Sequence, residues 1–428
     1  MKKYLILAAS AAVVLASCAK IDSFENNTEG NVLSFGVYAG RSVTKAVSGT
    51  DFGTVTTATL QAAASNGFGV FAYYTDADNY TSNCIKANFM YNQQVTYSSG
   101  AWTYSPVKYW PNEHGVSATS TDTDKLTFLA YAPFVANNDI ANDKGVSITD
   151  KTGSAAADEG IIAMTANNVA KDATLTFKVP ASSEEQIDLL YGVLGANYVD
   201  VEGNPIGTAG GPMENLTKQK TNGKVSILFK HALAKIAIDI KEVVDQADPT
   251  SSVDPVSDGT KVVVKSVKLK GTDIGTKGDL NLYTGAWSNF TNATEFDVAP
   301  LPTAISVDSA PTAYPGIDGV DEDGLDKTID VMLIPGAPSK ITGIEIVYYV
   351  CTQDLQLDGA VAVVENKISK VLDIDPSTDG NQPLAIEKGK QYGLNLLLGL
   401  TSIDLTATVE AWDVITPSTD VDLPQNVD

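Results

Sequence analysis

Apolar and polar residues alternate along most of this chain, with a period of two residues rather than 3.6. The segment 31–38 shows the pattern, because Leu33, Phe35 and Val37 are separated by smaller or polar residues. Successive side chains of a strand point to opposite faces, so this alternation predicts β-strands. Similar runs, each bounded by Gly, Asn, Asp or Pro, occur at 68–74, 125–134, 173–179, 186–194, 224–241, 261–271, 330–336, 341–351, 392–400 and 402–412. Many short strands of this kind predict an all-β fold made of β-sandwich domains.

The alternation changes phase inside the run 224–241. Its apolar positions are odd-numbered up to Phe229 and even-numbered from Ala234 onward. A one-residue shift moves every side chain to the other face of a sheet. The run therefore indicates either a β-bulge or a crossover between two strands.

The segment 195–223 is rich in Gly, Asn and Thr and has no period. Such composition is typical of a linker or of a long loop at a domain junction. We therefore predict two β domains in tandem, at 46–222 and 223–428. Only 56–67 has a helical period, and we expect a short helix there that ends at its Asn-Gly pair.

The first residues have the composition of an export signal. Lys2 and Lys3 precede an apolar run at 4–15, which is too short to span a bilayer. The sequence Leu-Ala-Ser-Cys that ends at Cys18 resembles a bacterial lipobox, in which the cysteine is acylated and becomes the new N-terminus. Acyl chains anchor a protein through roughly 0.8 kcal/mol per buried CH₂. We predict a signal peptide at 1–17 and a lipidated Cys18, rather than an ordinary secretory signal with an incidental cysteine.

The formal net charge of −23 narrows the range of partners. A surface this acidic repels phosphate backbones and anionic head groups, so nucleic acid is not an expected partner. Two further cysteines, Cys84 and Cys351, lie far apart in the sequence. A disulfide scaffold needs more cysteines in a shorter chain, which favours buried free thiols here.

The sequence contains few residues arranged for catalysis or metal binding. Its two histidines, His114 and His231, have no second histidine or cysteine pair beside them, and no nucleophile elbow, Walker A or Gly-rich dinucleotide motif occurs. We interpret His231 as structural and His114 as a solvated loop residue. The segment 318–324 places carboxylates at alternate positions, but it lacks the later bidentate acid of a calcium loop, which favours a plain acidic turn. No cofactor, metal site or enzymatic activity is predicted.

An aromatic cluster lies at 102–111, in the sequence WTYSPVKYWP. Trp102, Tyr104 and Trp110 have the same parity, so they share one strand face until Pro106 intervenes. Flat rings on a surface can stack on sugars, which gives a glycan-binding interpretation. Packing of the rings in the core is the alternative.

Several segments carry a resemblance to a known family when they are taken in order. The lipobox is followed by LSFGVYAGRSVTKA, FGVFAYY, KYWP, KLTFLAYAP, QIDLLYGV and FKHALAKI. Together these segments resemble fimbrillins, the lipoprotein pilins of type V pili, in their Mfa-like branch. The resemblance covers nearly the whole mature chain. It implies two β-sandwich domains of transthyretin-like, Greek-key topology, and assembly by strand exchange after a trypsin-like or arginine-specific protease removes the first strand.

The resemblance also gives a meaning to Arg41, the only arginine in the chain. In related chains the cut follows a basic residue that precedes a small one, and the matching residues here are Lys45 and Ala46. A cut after Arg41 or Lys45 detaches the lipidated strand that carries Leu33, Phe35 and Val37, and with a cut after Lys45 the removed segment is 18–45. The choice between the two bonds stays open, and an ordinary exposed turn is the alternative for Arg41.

The C-terminal segment 414–427 is a candidate donor strand for a neighbouring subunit. Its Ile415, Val421 and Leu423 have the same parity, so an extended tail presents them to one groove. Two prolines in the segment weaken this prediction, because proline has no backbone N–H to donate. A frayed terminus, or a strand of the chain's own domain, are the alternatives.

The leading functional hypothesis is a structural pilin subunit that is exported as an outer-membrane lipoprotein and then becomes part of an extracellular fimbrium. Its expected partners are other pilin subunits, in a homo- or hetero-polymer, the processing protease and the membrane that holds the lipid anchor. The alternative is a surface lipoprotein adhesin that binds a glycan or another host or bacterial ligand through the aromatics at 102–111. A tip subunit would satisfy both hypotheses.

Overall fold

The computed structural model describes a large part of the chain. The described residues are 32–39, 55, 57–62, 65–81, 87–111, 124–136, 146–147, 159–166, 173–181, 186, 188–199, 205–221, 223–242, 260–298, 329–336, 340–353, 361–371, 384–398 and 403–411. The predictions that lie outside these residues concern Cys18, Arg41, Lys45, Ala46, Cys84, His114, the turn at 318–324, and Ile415, Val421 and Leu423. Cys351 lies in a strand, at 340–353, whose side chains are described only up to residue 348.

Nearly all of the described chain is β-structure, as the alternation predicts. The strands, in chain order, are β1 (Ser34–Tyr38), β2 (Phe68–Asp76), β3 (Met90–Ser98), β4 (Ala101–Thr103), β5 (Lys125–Ala132), β6 (Val146–Ser147), β7 (Gly160–Thr165), β8 (Thr174–Lys178), β9 (Leu190–Leu194), β10 (Tyr198–Val199), β11 (Pro205–Gly207), β12 (Met213–Leu216), β13 (Lys224–His231), β14 (Ala234–Glu242), β15 (Thr260–Asn281), β16 (Trp287–Val298), β17 (Ile329–Leu333), β18 (Lys340–Gln353), β19 (Val361–Val371), β20 (Leu384–Ala385), β21 (Lys390–Leu398) and β22 (Ile403–Ala411). Each predicted run overlaps at least one of these strands, and the run 224–241 overlaps two, β13 and β14.

The helices are short. In the part of the chain that the structure describes, they are α1 (Thr57–Gln61) and α2 (Lys218–Thr221). The predicted helix at 56–67 was wrong in its extent, because α1 ends before the Asn-Gly pair. Gly67 instead leads into β2 with φ +68°, and a Cβ there would meet the carbonyl oxygen of Val95 at 1.9 Å, so this position requires glycine. Within the described ranges, no helix has both the length and the apolar composition to cross a membrane.

The first sheet has the strand order β1-β13-β9-β5-β2-β3-β4, with β12 paired to β5. β13 therefore lies in the first sheet, although the predicted boundary at 222/223 assigns it to the second domain. The next strand, β14, lies in a separate sheet of order β17-β14-β21-β22. Of the two interpretations of the phase change between Phe229 and Ala234, the structure shows the crossover between strands.

The third large sheet joins strands from distant parts of the sequence. Its order is β19-β18-β15-β8-β7-β6, with β16 paired to β15 and β20 paired to β18, while β10 and β11 form a separate pair. β8 comes from the predicted first domain and yet pairs with β15, for example at Leu175 and Leu280. The sheet pairings thus do not follow the division at 222/223, and the two-sandwich arrangement stays a prediction.

Two buried apolar clusters stabilise the fold, one on each face of the first sheet. β5 is buried along its whole length, which explains its nearly continuous apolar sequence. Phe128 points into one cluster together with β1, whereas Leu129 points into the other. The second cluster also receives Ile236 from β14 and Leu269 from β15, so the three large sheets share it.

Candidate functional site

Strand β1 forms one end of the first sheet and pairs with β13 alone in the sheet order. The pairing is parallel and places Phe35 beside Val225 and Val37 beside Ile227. The side chains of Leu33, Phe35 and Val37 are 0%, 3% and 6% exposed, so a strand with a single sheet neighbour is nevertheless almost fully buried on its inner face. Full burial of a side chain of this size contributes about 1.5–3 kcal/mol. Most of the stability of this edge therefore comes from its side chains.

The inward side chains of β1 fill an apolar groove, here called the β1 groove, which Phe68, Tyr104 and Phe128 line around Phe35. Its ring makes edge-to-face contacts with Phe68, Tyr104 and Phe128, at centroid distances of 6.1, 5.6 and 6.0 Å. Such ring pairs contribute about 0.5–1.5 kcal/mol each beyond the area that they bury. Three rings around one ring form a pocket that fits an aromatic side chain.

The N-terminal end of β1 has a second neighbour. Leu33 donates its N–H to the carbonyl of Lys108 at 3.0 Å, and Val32 forms an antiparallel bridge with Tyr109. The hydroxyl of Tyr104 donates to the carbonyl of Leu33 at 2.6 Å. Burial raises the pKa of Tyr104 to about 12, so its hydroxyl keeps the proton for this bond at physiological pH.

A hydroxyl group binds the backbone directly after the C-terminal end of β1. Thr57 accepts from the N–H of Ala39 at 2.8 Å and donates to the Ala39 carbonyl at 2.7 Å. Ala39 and Thr57, which lie before and after the segment that contains Arg41, Lys45 and Ala46, are therefore hydrogen-bonded to each other. A break anywhere in that segment leaves β1 attached through hydrogen bonds and packing alone.

The aromatics at 102–111 pack against this groove. Trp110 is 3% exposed, and its Nε1–H donates to the carbonyl of Gly223 at 2.9 Å. The ring of Trp102 lies 5.2 Å from both Phe68 and Tyr97. The rings of Trp102, Tyr104 and Trp110 thus belong to the wall of the β1 groove, which favours the core interpretation over a sugar platform.

His231 ends β13 and is paired inside the protein. Its Nδ1 lies 2.6 Å from Oδ2 of Asp188, whose side chain is fully buried. The same oxygen accepts the N–H of Val55 at 3.4 Å, where the chain returns from the connection after β1. This pair fits the structural interpretation of His231. Within the described residues, no group of three or more His, Cys, Asp or Glu is arranged to hold a metal ion.

Sequence reasoning found the inward residues of β1 but missed the groups that hold its two ends. Tyr104 was singled out only as a ring, and nothing in its spacing indicated that its hydroxyl reaches the carbonyl of Leu33. Thr57 and Asp188 carried no signal, because their contacts depend on chain segments that meet only in the folded protein.

The geometry defines the class of this protein: it is an all-β protein in which the strand at one end of a sheet is buried. The sequence model of the Fimbrillin-like family matches residues 44–412. The chain is 24% identical over 428 residues to the fimbrium subunit Fim1C of Phocaeicola vulgatus, with 95% of this chain and 96% of that protein covered. The crystal structure of a fimbrial protein from Bacteroides vulgatus ATCC 8482 has the same fold, with a TM-score of 0.56 and 20% identity over 89% of this chain and 99% of that one.

The chain therefore belongs to the fimbrillin-like family, and the resemblance inferred from the order of its motifs is confirmed. The range that the family matches begins at Thr44 and ends at Trp412. Strand β1 and the tail after Trp412 both lie outside it.

Proposed function

We propose that this protein is a structural subunit of a surface fimbria and polymerises by strand exchange at the β1 groove. Two features of β1 together carry the proposal: its inward side chains are buried, and the chain segment that follows it contains a predicted cleavage site. Leu33, Phe35 and Val37 are buried at a sheet end, while the chain that follows Ala39 contains the only arginine of the protein. The role is mechanical and needs no catalytic group.

Removal of β1 would create a binding site for another strand. The edge of β13 from Lys224 to Leu228 would lose its backbone partners, and the apolar floor beneath would be exposed to water. An unpaired edge above an apolar groove is a template for an incoming strand, whose backbone completes the ladder while its side chains fill the pockets. A strand from a neighbouring subunit would restore the backbone partners of β13 and would cover the apolar floor again.

Proteolysis supplies the trigger in this proposal. While β1 is covalently attached, it competes with any incoming strand at the high effective concentration of an intramolecular ligand. A cut after Arg41 or Lys45 removes that advantage without changing a contact in the groove. Monomers that have not been cut would therefore be stable, and cut monomers would be able to polymerise.

The same cut would release the subunit from its membrane anchor. Lipidation at Cys18 would hold the precursor in the outer membrane, and the segment 18–45 would be left behind when Ala46 becomes the new N-terminus. Replacement of Cys18 by Ala should abolish labelling with a radioactive fatty acid, whereas Cys84→Ala should leave it unchanged. Normal labelling of the Cys18 variant would contradict this part of the proposal.

The tail is the proposed donor for the next subunit. Ile415, Val421 and Leu423 would enter the neighbour's groove, and the backbone between them would pair with the neighbour's strand edge. The two prolines of the tail would lie where a ladder bond is absent.

The experiment that tests the proposal is limited digestion of the folded protein with trypsin, followed by intact-mass and multimer analysis. We expect one dominant product that begins at Ser42 or Ala46, and ladders of multimers after longer incubation. The double change Arg41→Ala and Lys45→Ala should prevent both, and Lys218→Ala in α2 serves as the matched control. Deletion of 413–428 should give cut, folded monomers that do not polymerise. Undiminished polymers from the deletion variant would rule out the tail as donor.

A further inference from the structure

We infer that the β1 groove selects its incoming strand by an aromatic side chain at the position of Phe35, so that its natural partner is a subunit whose donor strand carries such a residue. This inference rests on the proposed strand exchange. It adds the chemistry of the partner, which exchange alone leaves open.

The floor of the groove gives the first reason. Phe35 is 3% exposed and is surrounded edge-to-face by Phe68, Tyr104 and Phe128. These rings are fixed by other contacts, since Phe68 also packs against Phe229 at 5.4 Å. A smaller side chain at this position would leave a cavity that the surrounding rings could not fill.

Fixed hydrogen-bonding groups at both ends of the groove give the second reason. The Tyr104 hydroxyl binds the carbonyl at position 33, and the Thr57 hydroxyl binds both backbone groups at position 39. These groups act on the backbone, so they fix where the residues of an occupying strand sit along the groove without reading its side chains. With this placement, the aromatic pocket always receives the residue two positions after the one bound by Tyr104.

The tail of this chain does not match the pocket. Residues 413–428 include no Phe, Tyr or Trp. The largest apolar residues on its candidate inward face are Ile415 and Leu423, so the pocket would receive no aromatic side chain in any register. The groove therefore fits β1 better than it fits the tail of a second copy. A second copy donates its tail as a weaker ligand, and a subunit of different sequence whose donor strand carries an aromatic residue is the tighter-binding partner.

A peptide competition experiment tests this selectivity. The mature chain is given a recognition sequence for a site-specific protease between Lys45 and Ala46, cut, and incubated with a fluorescent peptide of residues 31–39. Unlabelled competitors are the same peptide, its Phe35→Ala variant, its Tyr38→Ala variant and a peptide of residues 413–428. Tyr38 is the matched control, because its side chain is 44% exposed on the outer face of the same strand.

We expect the Phe35→Ala peptide to compete at least about 100-fold more weakly than the parent, and the tail peptide at least about 10-fold more weakly. The Tyr38→Ala peptide should stay within about threefold of the parent. Equal competition by the parent and either the Phe35→Ala peptide or the tail peptide would overturn the selectivity while leaving strand exchange intact. Failure of the parent peptide itself to bind the cut protein would instead contradict exchange at this groove, and the inference with it.

Discussion

Strands β1 and β16 are both edge strands, and they are held in different ways. β1 pairs in parallel with β13, which lies far along the sequence, whereas β16 pairs antiparallel with β15, the strand immediately before it. The inner face of β1 is fully buried, but most side chains of β16 are exposed. One edge is stabilised by its side chains in the core, and the other by its covalent neighbour.

The β15–β16 connection shows how the second kind of edge is built. The side chain of Asn281 accepts the N–H groups of Tyr283 and Thr284, both at 2.9 Å, and Gly285 has φ +65°. These features form a tight turn that places β16 beside β15 without a distant partner. A strand that is held by its own turn cannot be replaced by a strand from another molecule.

Charged pairs across the two strands protect the β16 edge. Lys270 on β15 lies 2.8 Å from Glu295 on β16, and Lys268 lies 3.1 Å from Asp297. Lys270 lowers the pKa of Glu295, and Asp297 raises the pKa of Lys268. Charges on an exposed edge discourage pairing with another chain. The two edges therefore differ in burial, and in the proposed mechanism it is the buried strand, β1, that a strand from another subunit replaces.

The largest expected effect is the loss of the ring that fills the groove. Phe35→Ala should lower the free energy of unfolding by about 3–5 kcal/mol, because the cavity among Phe68, Tyr104 and Phe128 cannot collapse. Phe290→Ala on β16 is the matched substitution and should cost less, since that ring is only partly buried. Urea denaturation followed by circular dichroism measures both. Equal losses would remove the distinction between the two edges.

Loss of the Tyr104 hydroxyl should have an intermediate effect. Tyr104→Phe keeps the ring of the pocket but removes the bond to the Leu33 carbonyl, and should cost about 0.5–1.5 kcal/mol of unfolding free energy. Tyr109→Phe is the control, because Tyr109 is 50% exposed. Amide hydrogen exchange should be faster in β1 and unchanged in β16. A uniform increase in both strands would argue against a local role for the hydroxyl.

The two edges should respond to opposite ends of the pH scale. The raised pKa of Tyr104 gives β1 a contribution that is fully present below the ordinary value of 10.0 and is lost as the pH rises toward about 12. The lowered pKa of Glu295 gives β16 a contribution present above its ordinary value of 4.5 and lost as the pH falls through the lowered value. The urea denaturation midpoint, measured between pH 3 and 11, should therefore fall less at alkaline pH in Tyr104→Phe than in the parent protein. It should fall less at acid pH in Glu295→Gln. Unchanged profiles in both variants would contradict these assignments.

The smallest expected effect concerns the exposed ion pair itself. A double-mutant cycle of Lys270→Ala and Glu295→Ala should show a weak favourable coupling that disappears in 1 M salt, because exposed charges are strongly screened. The same salt increase should not weaken β1, whose contacts are apolar. A coupling that persists in high salt would show that the β16 edge depends on more than surface charge.

The sequence was a good guide to strands and a poor guide to their partners. Period-two alternation located β2, β5 and β13, and parity placed Leu33 and Phe35 on one face. Alternation reports only which face of a strand is apolar. It could not show that β8 pairs with β15, or that β1 pairs with β13 in parallel, because those choices depend on contacts between distant segments.

The candidate site could likewise be predicted from the sequence only in part. The apolar side chains that fill the groove were visible in the sequence as the inward residues of β1, whereas the groups that bind its two ends were not. A hydroxyl that binds backbone atoms, as at Tyr104 and Thr57, has no period and no motif. The boundary at 222/223 failed to follow the sheets for a related reason, since composition marks loops but does not say which sheet the next strand joins.

The central claim, that β1 must leave its groove before the protein can polymerise, is tested most directly by a reversible lock. Ser34 and Lys224 are register partners, so Ser34→Cys with Lys224→Cys should form a disulfide that holds β1 on β13. The control pair is Lys277→Cys with Thr291→Cys, which locks β16 to β15. After cleavage within residues 40–54, we expect the β1-locked protein to stay monomeric until dithiothreitol is added. The β16-locked protein should polymerise at the normal rate. Polymerisation of the cut, β1-locked protein without reductant would show that β1 does not have to leave its groove.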